Sequence, residues 1–243
     1  MVLKVLLTLL LLMPSAAPFA QERPLRFSIN DSWAMPMARI KDGRAEEGIL
    51  IDLQLRLAAK VGRTAALLVM PRMRVQLAME NSEVDVRCYI SPEWIDTRDY
   101  RYIWSVPFMV QRNLLLSTET QPLKVEQLRD ERVGTVLGFT YPGLEPLFAS
   151  GQIRRDDART QHQVLLKLQA GRNRYAVSDQ LSLDWFNRQQ APAEKLHAVS
   201  EFAADPVGCI IRDAPDVPTK ALLRAMQQMQ QEGEFEAILA RYR

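Results

Sequence analysis

The sequence runs to 243 residues, 47% hydrophobic and 25% charged, with 31 Lys+Arg against 29 Asp+Glu. A net charge of +2 offers no basic field for gripping nucleic-acid phosphates, so no nucleic-acid partner is expected. Two cysteines cannot build a disulfide scaffold or a four-thiolate zinc site, and two histidines (His162 and His197) speak against a multi-histidine metal centre; no metal site and no cofactor are expected.

Met1–Ala20 places one cation, Lys4, ahead of an apolar run from Val5 to Met13, followed by a proline and small residues. That order is the order of a secretory signal peptide, and the run is about half of the ~20 apolar residues a spanning helix needs. Residues 1–20 are therefore expected to be a cleaved leader, and the remainder a soluble periplasmic protein. In an oxidising compartment Cys88 and Cys209 are either bridged or two small buried hydrophobes.

Leu25–Asn30 alternates apolar and polar residues and predicts a first strand. A loop holding Trp33, Pro36, Asp42 and Gly43 follows, then a helix with Leu53, Leu57 and Val61 on one face, Asp52 as N-cap and Gly62 as C-cap. Ala65–Met70 predicts a strand, Pro71 the first turn of a helix, and Glu83–Ile90 a third strand. Further strands are expected over Asn113–Ser117 and Arg132–Leu137, then a turn at Gly138–Pro142 leading into a helix over Gly143–Ala149. An amphipathic helix over His162–Ala170 ends at Gly171, and a strand over Tyr175–Ser178 delivers Asp179 at its end. Val207–Arg212 closes the strands, ahead of helices Lys220–Gln230 and Glu234–Tyr242 split by Gly233. Alternating strands and helices of this kind predict an α/β fold with parallel strands.

Five segments carry a resemblance. They are Gly48-Ile-Leu-Ile-Asp52-Leu53; Arg98 followed six residues later by Trp104-Ser105-Val106-Pro107-Phe108; Val133-Gly134-Thr135 through Gly138-Phe139-Thr140; Gly171 through Asp179; and the ending Gly233-Glu-Phe235 through Ile238 to Tyr242. In this order the chain resembles the extracellular solute-binding proteins of family 3, the polar amino-acid receptors of ABC importers. The resemblance implies an α/β, two-lobed periplasmic-binding-protein fold of type II, hinged on two crossing strands. Lobe 1 would comprise residues 21–108 and 204–243, and lobe 2 residues 109–203. It implies a monomer that captures a small polar or amino-acid-like ligand and hands it to an ABC permease or a membrane receptor. The sheet order of such proteins also implies a Cys88–Cys209 bridge.

By the same resemblance Arg98 grips the ligand carboxylate, and a guanidinium fork suits that task. Asp179 would take the ligand ammonium from the opposite lobe, or else cap the helix that follows. Gly138, Phe139 and Thr140 precede a helix start, where free N–H groups favour an anion, unless they form a simple turn; Phe139 departs from the hydroxyl residue expected there. Trp33 is an aromatic wall or a core residue, with Tyr89 and Trp94 as possible additions to that wall. Arg72 and Arg74 sit in the first turn of a helix, where positive charge is disfavoured; they serve an anionic ligand group or pair with acidic neighbours in solvent. Glu93 faces a cationic ligand or water. An alternative implied by the same fold is an enzyme of the cyclohexadienyl dehydratase kind, for which Glu93 is the only candidate acid.

Overall fold

The computed structural model describes residues 23–95 and 102–243. The expected leader over residues 1–20 and the candidate ligand arginine Arg98 lie outside the described residues.

Strand β1 (Leu25–Asn30) places Leu25, Phe27 and Ile29 wholly in the interior. A hairpin of β2 (Arg39–Lys41) and β3 (Arg44–Glu47) turns at Asp42-Gly43, both at positive φ. Helix α1 (Ile49–Lys60) then buries Ile49, Leu53 and Leu57 along one stripe. It starts four residues earlier than the sequence predicts, with Gly48 rather than Asp52 at the N-cap. Gly48 sits at φ 133°, and a Cβ there would lie 2.5 Å from the Met37 carbonyl oxygen, so only glycine fits. Asp52 is left inside the first turn, where its charge still complements the helix dipole.

β4 (Ala65–Met70) runs parallel to β1, and after α2 (Arg72–Glu80) the chain enters β5 (Val86–Ile90) on the other side of β1. β6 (Tyr102–Trp104) leads to β7 (Met109–Ser117), β8 (Glu131–Val136), α3 (Glu145–Ala149), β9 (Ile153–Ala158) and α4 (Gln161–Gln169). β10 (Tyr175–Asp179), α5 (Gln180–Asn187) and β11 (His197–Arg212) follow, and α6 (Thr219–Gln231) and α7 (Glu234–Ala240) close the chain. The strands lie in the order β4-β1-β5-β11-β7-β10-β8-β9, with β6 also on β11.

β11 gives this sheet its two halves. Its residues 197–207 pair antiparallel with β7, and its last residues pair with β5 and β6. On the β1 side, α1, α6 and α7 cover one face and α2 the other. On the β7 side, Leu114 and Leu116 enter one core while Leu115 enters the core behind it, as the two-residue period of a strand requires. Both β7 and β11 are longer than the sequence predicts. Pro206, Asp205 and Glu201 interrupt the apolar pattern of β11, yet pairing with β7 continues past them.

Cys88 and Cys209 face each other across β5 and β11 and are joined by a disulfide with an S–S distance of 2.04 Å. At the outer end of β5, Asp85 is completely buried. It accepts hydrogen bonds from Arg23 (2.7 Å), Arg26 (2.8 Å) and Arg212 (2.9 Å).

Candidate functional site

The cleft between the two halves starts from a fault in β5. Cys88 pairs with Cys209, but Ile90 pairs with Gly208, so Tyr89 is an extra residue opposite no partner. Its φ of 61° is a conformation that non-glycine residues rarely adopt, and such backbone gathers at functional sites. The bulge turns the Tyr89 ring into an aromatic cluster with Trp33 (6.0 Å, edge-on), Trp94 (6.1 Å) and Phe108 (6.5 Å). Its hydroxyl is buried and has no hydrogen-bond partner among the described residues. Burial, reinforced by the charges of Asp179 and Asp205, pushes that phenol well above its ordinary pKa.

The halves are closed on one another. The Gln161 N–H at the start of α4 donates to the Ser32 carbonyl across the cleft (3.1 Å). Phe139 packs against the cores of both halves. Gly138, at φ 76°, lies under Met73 of α2, where a Cβ would come within 3.0 Å of the sulfur. Around the Tyr89 ring lie two adjoining cavities of about 50 Å³ and about 30 Å³, sharing Trp33, Tyr89, Gln111, Phe139 and Tyr141 as walls.

The first cavity is basic. Arg72 and Arg87 line it together with Asn30, Trp94 and Thr140. Arg87 is only 3% exposed, its Nη1 has no hydrogen-bond partner, and neither arginine has an ion-pair partner among the described residues. Burial and the neighbouring Arg72 charge pull the Arg87 guanidinium down to about 9. Burial also lowers Arg72. Arg74, one turn-face away, instead points to solvent and pairs with Glu83 (3.0 Å).

The second cavity is acidic. Asp179 ends β10 and caps α5, its carboxylate accepting from the Ser182 N–H (2.9 Å) and hydroxyl (2.6 Å). Burial raises its pKa despite those bonds. Asp205 of β11, which lines neither cavity, accepts from Trp94 Nε1 of the first (3.1 Å) and Asn113 Nδ2 of the second (2.7 Å), and Gln111 donates to Asn113 (2.6 Å). This chain of bonds ties the two crossing strands, β7 and β11, together.

Trp33, Tyr89, Arg72, Phe139, Thr140 and Asp179 thus converge on the cleft, as does Trp94. Glu93 does not: it is exposed on the turn Pro92–Trp94 and lines neither cavity. Gly138 shapes the loop without lining a cavity. The helix expected from Gly143 begins only at Glu145, so residues 138–140 are not a helix N-terminus. The Phe139 N–H is already bound to the Val136 carbonyl, and the Tyr141 N–H to Glu145. Arg155 holds this loop in place by donating to the carbonyls of Val136 and Phe139 (both 3.0 Å). Asn30, Arg87, Gln111, Asn113 and Asp205 are site residues the sequence reading missed. Only Arg87 announces itself, as a charge inside the otherwise apolar run Val86–Ile90.

This architecture is the two-lobed, type II periplasmic-binding-protein fold. Among solved structures the chain is similar to an ancestral arginine-binding protein bound to arginine (TM-score 0.75, 20% identity, 91% of this chain and 99% of that one). It is also similar to a histidine kinase sensor domain resembling periplasmic binding proteins (0.73, 20%, 91% and 96%). A third is the GluR0 ligand-binding core from Nostoc punctiforme in complex with L-glutamate (0.72, 16%, 90% and 99%). No family model and no curated protein matches the sequence.

Proposed function

We propose that the protein is a periplasmic solute-binding protein that captures a small amino-acid-like molecule between its lobes and presents it to an ABC importer. The lobes are residues 21–108 with 204–243, and residues 109–203, hinged on β7 and β11. The observation that carries this reading is the closed cleft itself, with Asp179 on one wall and buried guanidinium groups on the other. A solute touching both walls binds the closed state better than the open one, and that difference drives closure. Arg98 takes the ligand carboxylate and Asp179 its ammonium. The comparisons support the reading through the fold they share with proteins that hold arginine and glutamate.

Asp179→Asn is the test, because asparagine caps a helix about as well as aspartate. The amide oxygen still accepts from the Ser182 N–H and its NH2 donates to the Ser182 hydroxyl. The variant is expected to keep its melting temperature while losing roughly tenfold or more in amino-acid affinity by calorimetry, the worth of one charged contact. Unchanged affinity for a solute that binds the parent leaves Asp179 a helix cap and nothing more.

A further inference from the structure

We propose that the solute is an acid carrying an anionic group beyond its α-carboxylate, and that this group seats between Arg72 and Arg87. The inference rests on the cleft being the solute site. Arg87 occupies a central strand with its guanidinium sealed from solvent and one Nη without a partner. A buried charge without a counter-charge is among the most costly features a protein interior can hold. Arg72 adds a second cation at the same cavity, from the helix turn where the dipole already disfavours one.

Among the described residues the acids of the cleft do not answer these charges. Asp205 is engaged by Trp94 and Asn113, and Asp179 by Ser182, all neutral donors. Two guanidinium forks beside the Asn30 amide and the Thr140 hydroxyl form a donor-rich pocket suited to a planar carboxylate or a phosphate monoester. At about 50 Å³ the cavity admits a group of that compactness. The same charges repel a cationic side chain, so the site selects against basic amino acids as well as for acidic ones. Trp94 and Tyr89 exclude water around the pair and so strengthen the attraction.

Isothermal calorimetry on the full chain at pH 7 tests this with L-glutamate, L-aspartate, O-phospho-L-serine, L-glutamine and L-arginine. At least one of the three acids is expected to bind about tenfold or more tightly than both glutamine and arginine. Arg87→Met should weaken that acid by roughly 30-fold or more, as loss of one member of a buried charge pair does. Arg72 is half-buried at a helix start, so Arg72→Gln provides a second variant that folds, with an expected loss of about tenfold. Equal or better binding of glutamine or arginine overturns the inference and leaves the solute-binding reading standing. Full acid affinity in both variants does the same. Absence of binding by all five compounds overturns both. An acid that depends on Arg87 but ignores Asp179→Asn upholds the inference and removes the ammonium contact from the wider reading.

Discussion

Asp85 and Arg87 stand two residues apart at β5, both fully enclosed, and carry opposite charges into the same lobe. Burial opposes ionisation of Asp85, but hydrogen bonds from Arg26, Arg23 and Arg212 outweigh it and hold the carboxyl well below the ordinary range. For Arg87 burial dominates: it and the Arg72 charge both act toward losing the proton, and the smaller opposing contribution of Tyr102 does not offset them. One group is a finished ion cluster at the rim of the sheet, and the other is an open valence facing the cleft. A protein holding both shows where charge serves the fold and where it is kept for something else.

The sharpest way to break this comparison is Asp85→Asn. It removes the negative charge that three guanidinium groups share and turns one of the two accepting oxygens into a donor, and loss of one partner from a buried ion cluster costs about 4 kcal/mol. For a chain of this size the melting temperature should fall by roughly 8–16 °C, read by circular dichroism. The pH dependence follows. A carboxyl whose folded pKa is depressed contributes stability above its unfolded value, near 4, and loses it as pH falls toward the folded one. The parent should therefore lose stability steeply below about pH 4, and the variant should show a shallower acid limb.

Arg87→Met should act in the opposite direction. Exchanging an unanswered buried cation for an apolar side chain of similar length removes a desolvation cost, and a gain of about 2 kcal/mol in unfolding free energy is expected. Denaturant titration measures it as a higher midpoint at an unchanged slope. A clear loss of stability would mean that Arg87 holds the fold, and the contrast with Asp85 would collapse.

Much of this fold is readable along the chain because apolar periodicity follows burial. Leu25-Phe27-Ile29 and the stripe of α1 are visible as patterns before any coordinates. β9 is not, because four of its six residues (Arg154, Arg155, Asp156 and Asp157) are charged, as a sheet edge tolerates and a strand pattern does not reveal. The full length of β11 is hidden for a related reason: where it crosses between lobes it is half solvated, so polar residues and Pro206 sit in a ladder that shifts register twice yet holds to Val207. In the cleft, Trp33, Tyr89, Arg72 and Asp179 are legible as chemistry in the right segments. Gln111, Asn113 and Asp205 are not, since three polar residues far apart in sequence acquire meaning only when β7 and β11 lie side by side. Asp52 shows the limit of local rules. A cap residue ahead of an apolar stripe predicts a helix start, and a glycine required by a close backbone approach moved that start upstream.

Asp52 also supplies the mildest test, because it is a charge intermediate between the two at β5. It is partly exposed, and two groups answer it: the Tyr242 hydroxyl donates to it at 2.6 Å, and Arg241 lies at 3.0 Å. Burial and this carboxylate push the Tyr242 phenol up to about 12, so the hydroxyl stays protonated as a donor at any working pH. The same oxygen accepts from the Gly48 N–H (3.2 Å) and so joins the end of the chain to the start of α1. Tyr242→Phe keeps the ring against Trp185 and deletes only these bonds. Because Arg241 and solvent still reach Asp52, the expected loss is about 1 kcal/mol, the lower end for a hydrogen bond to a charged group. It should appear as a melting shift of roughly 2–4 °C with solute affinity unaltered. A loss as large as that of Asp85→Asn would show that partial exposure does not soften a broken charge contact here, and that burial alone does not rank the charges of this lobe.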